Sequence, residues 1–334
     1  MIIESSAPTR ADLAGGTIDI WPLYLFHPGA MTVNFALSLR AHARIETRDD
    51  DRLILESRDR GIRFETTLDR VDELAHDERL ELVSKMVHFF RPERGFHLIA
   101  HSEAPAGAGI SGSSALAIAL IGVLNRQAGN RYNESQFIGI AANIETTVIK
   151  VPAGFQDYYP AFYGSTSCIH LRADGIEREH LAVDDDEVKR RFVICYTGEP
   201  RHSGINNWEM FKRHIERDAD VFEIFGRIRD AAVQMRAALL ANDWQAVADT
   251  MRAAYPNRKR LAPGITTPQM DRLVEKALAS GAEAAKVCGA GGGGCIAFLC
   301  ADGRKPDVER ALMEEGGEIL KWEVAREGLL VTES

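Results

Sequence analysis

No Gly-Lys-Ser or Gly-Lys-Thr occurs in this chain of 334 residues, and that absence excludes a nucleotide site of the Walker type. Cysteine is scarce. The five that occur, Cys168, Cys195, Cys288, Cys295 and Cys300, are odd in number and lack metal-ligand spacing, so they read as reduced residues. Cys195, Cys295 and Cys300 sit in apolar runs as small hydrophobes. Cys288, beside a glycine loop, is either a reactive thiol or a small residue chosen for tight packing. No stretch approaches the roughly 20 uninterrupted apolar residues of a membrane span. With Glu4, Arg10 and Asp12 early, the first residues do not read as a secretory leader, so a cytoplasmic location is expected. An excess of positive charge is also missing. The net charge of −9 argues against a nucleic-acid partner, although a local basic pocket remains compatible with an anionic metabolite. Internal repeats and low-complexity tracts are absent.

What is present is an ordinary globular composition, 45% hydrophobic and 27% charged, long enough that two packed domains are the better expectation. Strand character is expected at residues 1–6, 41–47, 52–57, 63–67 and 95–102, with helices at 80–89, 115–128 and 134–148. Strands return at 164–171 and 191–197, separated by acidic residues 184–187 that read as a solvated turn. Four helical patterns follow at 206–217, 219–241, 244–254 and 268–280. A strand at 284–288, a glycine loop, a strand at 295–300, a helix at 306–315 and a strand at 318–325 close the chain. That final order suggests a split β-α-β unit packed on helices.

Four motifs carry chemistry. Residues 103–115, EAPAGAGISGSSA, combine glycines with paired hydroxyls ahead of an apolar helix. Gly107, Gly109 and Gly112 let main-chain amides approach an anion, and the helix N-terminus adds free N–H groups and its positive dipole end. Ser113 and Ser114 offer oxygens to a phosphate or to Mg²⁺. The competing reading is a flexible loop before an ordinary helix. Residues 286–295, KVCGAGGGGC, hold more glycines than a turn demands, which points to close backbone approach to a ligand or to the phosphate loop. In residues 10–19, RADLAGGTID, Asp19 can orient a sugar hydroxyl or close an Asx-turn, and Arg10 can lie on the surface or meet a carboxylate by its fork. Glu145 and Asp157, twelve residues apart across a Pro-Ala-Gly turn, suit the two carboxylate roles of phosphoryl transfer, one on the metal and one beside the attacking hydroxyl. Each acid alone is more often a solvated side chain, a reading that weakens when the two glycine loops accompany the pair.

In this order the motifs resemble the GHMP small-molecule kinases, the superfamily of galactokinase, homoserine kinase, mevalonate kinase and phosphomevalonate kinase. The resemblance spans most of the chain. It implies an α+β, two-domain fold: an N-terminal ribosomal-protein-S5-like β-α domain over residues 1–185 and a C-terminal ferredoxin-like split β-α-β domain with extra helices over 186–334. It implies ATP and Mg²⁺ as cosubstrate and cofactor, with Gly107, Gly109, Ser111, Gly112, Ser113 and Ser114 on the nucleotide phosphates. By the same resemblance Ser114 and Glu145 contact Mg²⁺, Asp157 is the base, and Arg10 stabilises charge on the transferring group. Asp19, with Gly16, Thr17 and Gly154, would bind the acceptor, and Gly289, Ala290, Gly291 and Gly292 form the third-motif loop. The adenine pocket has no fixed motif.

Within the superfamily, residues 14–19 (AGGTID), 154–164 (GFQDYYPAFYG), 196–198 (YTG) and 258–268 (RKRLAPGITTP) look most like D-glycero-D-manno-heptose 7-phosphate kinases, which phosphorylate the anomeric hydroxyl. The implied activity is ATP-dependent phosphorylation of a sugar or sugar phosphate, with no nucleic-acid or membrane partner. The chain departs from those kinases at Gly-Gly-Thr-Ile-Asp, where they carry Gly-Gly-Gly-Thr-Asp, and at Tyr158, where they carry glutamine. Gly16-Thr17 also replaces the Glu-His of galactokinases. The sugar, its phosphorylation state and the oligomeric state stay open. A phosphate clamp is available by charge from Arg201, His202, Lys212, Arg258, Lys259 and Arg260, the last three alternatively forming a solvated face. A mevalonate-type kinase, a decarboxylase on the same scaffold and a non-catalytic sugar sensor are the alternatives.

Overall fold

The computed structural model describes residues 1–200 and 205–334, with side chains from 208 onward in the second stretch. The first half runs β1 (Ile2–Ala14), β2 (Met31–Thr47), β3 (Arg52–Ser57), β4 (Ile62–Thr67), α1 (Glu81–Phe90), β5 (Phe96–Ser102) and α2 (Gly112–Gln127). It continues with α3 (Glu134–Ile149), α4 (Tyr158–Tyr163), β6 (Thr166–Arg172) and β7 (Gly175–His180). After α5 (Asp185–Arg191) and β8 (Phe192–Tyr196) come four helices, α6 (Ile205–Ile215), α7 (Ala219–Leu240), α8 (Trp244–Leu261) and α9 (Pro268–Ala279). The end is β9 (Ala282–Val287), β10 (Cys295–Cys300), α10 (Lys305–Glu314), β11 (Glu318–Ile319) and β12 (Leu330–Glu333).

The first sheet has the order β12-β1-β2-β5-β3-β4, with β6 and β7 joined to β2 beyond the end of β5. Helix α2 lies across β1 and β2. Its hydrophobic residues go all the way round, as in a helix buried on every side, and Ile118, Leu120, Ile121, Val123 and Leu124 are fully buried. Each such side chain contributes roughly 1.5–3 kcal/mol, which fixes the N-terminal turn of α2 against the sheet. The second sheet is antiparallel in the order β11-β8-β10-β9. With α9 before β9 and α10 after β10, it is the split β-α-β arrangement expected from the sequence. One apolar cluster crosses between the sheets, bringing Phe35 and Ala11 against Phe192, Ile194, Ala297 and Trp322. None of the described helices is long and apolar enough to cross a membrane.

The structure corrects several expected elements. Strand β1 continues to Ala14 and β2 begins at Met31 because both are buried on both faces there, and such strands lack the two-residue alternation that reveals a half-buried one. Pro8 is accommodated at a register shift between Pro8 and Thr9. Residues 184–187 begin α5 instead of forming a turn. Asp184 caps it through Asp186 N–H, three acids occupy its first turn, and Lys189, Arg190 and Arg191 its last, an order that complements the helix dipole. Helix α8 passes through Pro256 to Leu261, seven residues beyond the expected end. The last strand is reduced to Glu318–Ile319, and an unexpected β12 pairs with β1.

Candidate active site

The phosphate loop joins β5 to α2. Gly107 and Gly109 take positive φ (69° and 76°), and Ser111 also adopts the left-handed conformation. Among the described residues no side chain caps α2, because Ser111 Oγ donates to Ile110 O instead. The first-turn N–H groups therefore stay uncapped beside a pocket that Ser113 and Ser114 line. The third-motif loop packs directly on this loop. Cys295 N–H donates to Ala108 O at 2.7 Å, and a Cβ on Gly294 would lie 2.7 Å from that oxygen. A Cβ on Gly291 would lie 2.5 Å from Ile265 O. Close backbone approach is thus the reason for these glycines.

Arg10, at the buried end of β1, is 1% exposed. Its Nε and Nη2 both donate to Asp157 Oδ1, at 2.9 and 2.5 Å, and its Nη1 donates to Gly109 O at 2.9 Å. Burial opposes the charge of Arg10, but Asp157 and Asp12 outweigh it and raise its pKa. Among the described residues nothing donates to Asp157 Oδ2, and the Asp157 side chain keeps 23% of its surface. One oxygen of this carboxylate is thus anchored and the other is left unbonded among the described residues, and Asp157 lines the pocket.

Glu145, on α3, is buried. It accepts from Ser113 Oγ, from Ser114 Oγ at 2.9 Å and from Tyr158 OH at 2.8 Å. Burial raises its pKa, with the three hydroxyls pulling the other way. Burial and the neighbouring Glu145 hold the Tyr158 phenol well above its ordinary range. No lysine or arginine pairs with Glu145 among the described residues.

Asp19 is 1% exposed and is held at both oxygens by main chain, Oδ1 by Thr17 N–H at 3.0 Å and Oδ2 by Gln156 N–H at 2.8 Å. Burial, opposed by the Gln156 bond and reinforced by Asp157 and Asp12, pushes its pKa up to about 7. Gly154 is required here, since a Cβ would fall 2.2 Å from Asp19 Oδ2. Gly16 is equally constrained by Asp12 and Gln156.

Arg10, Gly16, Thr17, Asp19, Ser113, Ser114, Glu145, Gly154, Asp157, Gly289 and Ala290 line one pocket. Gly107, Gly109, Ser111, Gly112, Gly291 and Gly292 are not among its lining residues, although they belong to the two loops that supply Ser113, Ser114, Gly289 and Ala290. Of the candidate clamp, Arg201 and His202 lie outside the described residues. Lys212, Lys259 and Arg260 are exposed, with Lys259 bonded to Asp271. Arg258 is instead buried against Thr17 and Gly289, which rules out a solvated face for that residue.

Sequence reasoning missed the ion pair of Lys286 with Asp12 at 2.8 Å, both buried, which ties the third motif to the first. It also gave no role to Gln156 or to the Tyr158 hydroxyl. A signal was available in each case, since Asp12 and Lys286 stand inside the motifs themselves, but their pairing spans the whole chain. Cys288 is fully buried and burial raises its thiol pKa despite Arg10 and Lys286 nearby, so it serves packing.

Two family models match the chain, the GHMP kinases N terminal domain over residues 81–165 and the GHMP kinases C terminal over residues 235–318. A D-glycero-alpha-D-manno-heptose 7-phosphate kinase of Campylobacter jejuni is 24% identical over 98% of both chains. A mevalonate kinase of Thermococcus onnurineus is 26% identical over 100% of this chain and 99% of its own. Among solved structures, a D-glycero-D-manno-heptose 1-phosphate kinase from Bacteriodes thetaiotaomicron superposes with a TM-score of 0.79 at 22% identity, covering 99% of each chain.

Proposed function

Because the chain belongs to the GHMP kinase family and is a phosphotransferase with an alcohol acceptor, we propose that it transfers the γ-phosphoryl group of ATP to the anomeric hydroxyl of a sugar or sugar phosphate. The observation that carries this reading is the divided carboxylate of Asp157: Oδ1 takes both bonds from Arg10 and Oδ2 is left for an acceptor hydroxyl. Asp157 accepts that hydroxyl proton at Oδ2. Arg10, bonded at once to Asp157 and to Gly109 O of the phosphate loop, places a desolvated cation between base and phosphates, where charge develops during transfer. The uncapped N-terminus of α2 holds the phosphates. Asp19 accepts from sugar hydroxyls with the lone pairs its two main-chain bonds leave over. The proposed domain of residues 1–185 contributes all these groups, and the domain of residues 186–334 contributes the third-motif loop.

The residues present fit Mg²⁺. A buried carboxylate with no cationic partner among the described residues, surrounded by hydroxyl oxygens, is a hard oxygen donor set. Ser114 and Glu145 would hold the ion, which when bound neutralises charge on the nucleotide phosphates. Tyr158 keeps Glu145 oriented.

A sugar is favoured over mevalonate by the acceptors of the pocket. Asp19 and Asp157 offer carboxyl oxygens to donor-rich hydroxyls, whereas a substrate carboxylate would bring only further acceptors to them. The similarity to a mevalonate kinase over the full chain keeps that acceptor in the test. ADP release with Mg-ATP is measured across free hexoses, uronic acids, hexosamines, fucose, heptose 7-phosphate and mevalonate, with the product position read by ³¹P NMR. An anomeric phosphate is the expected product. Turnover of mevalonate alone would overturn the sugar reading, and binding without turnover on every acceptor would overturn catalysis.

A further inference from the structure

Thr17 is the oddity of the first-motif loop. It has φ +87°, a conformation that costs a β-branched residue of order 1–3 kcal/mol and persists only where its surroundings impose it. The neighbouring Gly15, also at positive φ, adopts that geometry without strain. Two side-chain partners hold Thr17 in place, beside a long main-chain bond from Ile20 N–H to its carbonyl. Its N–H donates to Asp19 Oδ1, and its Oγ1 accepts from Arg258 Nη1 at 2.6 Å. Arg258 reaches it from α8, 241 residues away along the chain. The other arm of the same guanidinium, Nη2, donates to Gly289 O at 2.9 Å in the third-motif loop. Arg258 is 7% exposed, and a planar fork is suited to joining two fixed acceptors in different loops.

We propose that Arg258 is a positioning residue for Asp19, acting through Thr17, so that the acceptor-binding carboxylate is aimed only while α8 and the third-motif loop are docked on the first motif. This inference rests on the reading of Asp19 as an acceptor ligand. The geometry forms a relay. Arg258 fixes the Thr17 hydroxyl, the fixed hydroxyl holds the left-handed turn, and the turn presents the Thr17 N–H to Asp19 Oδ1. Gln156 N–H restrains the other oxygen from the opposite side, and that restraint does not depend on Arg258. Without Arg258 the Thr17 side of Asp19 is released toward an unstrained conformation while the Gln156 side stays.

The test is amide hydrogen exchange at Thr17 in the full-length protein without ligand, in a double-mutant cycle of Arg258→Met and Thr17→Gly. Arg258→Met alone is expected to speed exchange at position 17 by about 10- to 100-fold, the range of one lost charge-assisted hydrogen bond. Amides in the core of α2 should stay at their wild-type rates, which separates a local release from general unfolding. Glycine tolerates positive φ, so in the Thr17→Gly background Arg258→Met should change the exchange by less than about threefold. An unchanged Thr17 amide in Arg258→Met would overturn the proposal, as would an equal acceleration in both backgrounds. The cycle needs no acceptor. Its failure therefore removes the positioning role alone, whereas failure of the acceptor panel removes the kinase reading.

Discussion

Replacing Asp157 with asparagine separates the two jobs assigned to that carboxylate. Both bonds from Arg10 end on Oδ1. An asparagine amide with its oxygen in that place keeps both bonds and converts the unbonded Oδ2 into an NH₂ donor. The substitution therefore retains the anchor and removes the proton acceptor. Loss of a positioned general base costs about 10²–10⁴ in rate, or roughly 3–5 kcal/mol of barrier. The cost in stability is smaller. Arg10 loses its nearest negative charge but keeps its hydrogen bonds, Gly109 O and the nearby charge of Asp12, which holds the loss below the roughly 3–5 kcal/mol of a buried pair stripped of one partner. Asp157→Ala is the control, because it strips a buried guanidinium of both charge and hydrogen bonds, which costs up to about 3–5 kcal/mol. Turnover is followed by ADP release at saturating acceptor, ATP affinity by its KM, and folding by thermal melting. The expected result is a folded Asp157→Asn protein with near wild-type KM for ATP and a kcat reduced at least about 100-fold, alongside an Asp157→Ala protein that melts lower. A kcat within about threefold of wild type in folded Asp157→Asn would remove Asp157 from catalysis.

Asp19 makes stability depend on pH. Its folded pKa of about 7 lies above the ordinary 3.8, so the folded state holds a proton the unfolded chain has released, and stability falls as pH rises from about 4 to about 7, by up to roughly 4 kcal/mol. Urea unfolding of wild type and Asp19→Asn from pH 4.5 to 8 checks this, and a pH-independent difference between the two curves would refute it. Glu145→Gln removes a buried charge that has no cationic partner among the described residues, so the melting temperature should hold or rise while the Mg²⁺ concentration for half-maximal ADP release rises about tenfold or more. A lower melting temperature with unchanged Mg²⁺ demand would contradict that account. Gly154→Ala forces a methyl into Asp19 Oδ2, and should lower unfolding stability by about 1–3 kcal/mol and weaken acceptor binding. Unaltered urea denaturation and KM would show that the loop gives way freely.

What was legible in the sequence was local. Glycine positions with hydroxyls ahead of an apolar run announced the phosphate loop, because backbone access and helix start are encoded within about ten residues. Helix periodicity announced α7 and α9 for the same reason. The illegible parts were those decided by distant partners. Residues 7–14 and 31–40 were given no strand, although 10–14 fell within a motif, since strands buried on both faces lose their alternation. Residues 184–187 read as a solvated turn because their four acids gain meaning only with the basic residues that close the helix. Tyr158 was noticed as a departure, but its hydroxyl could be assigned only once α3 and α4 had brought it to Glu145.

The site itself shows why motif reading stops short of mechanism. Every motif contributes lining residues to one pocket, yet the bonds that orient them run between motifs: Arg10 to Asp157 over 147 positions, Asp19 to Gln156 over 137 and Lys286 to Asp12 over 274. A lone arginine in the sequence can face solvent, a phosphate or a carboxylate, and charge alone does not choose among them. Arg258 illustrates the point. By composition it belonged with Lys259 and Arg260 as a possible phosphate clamp, and only its burial against Thr17 and Gly289 separates it from its exposed neighbours. Lys286 acts from the same side, holding Asp12 five positions before Thr17. Both cations that brace the first-motif loop come from beyond residue 250. The loop bearing Asp19 is therefore braced from both halves of the chain, by Arg258 and Lys286 on one side and by Gln156 on the other.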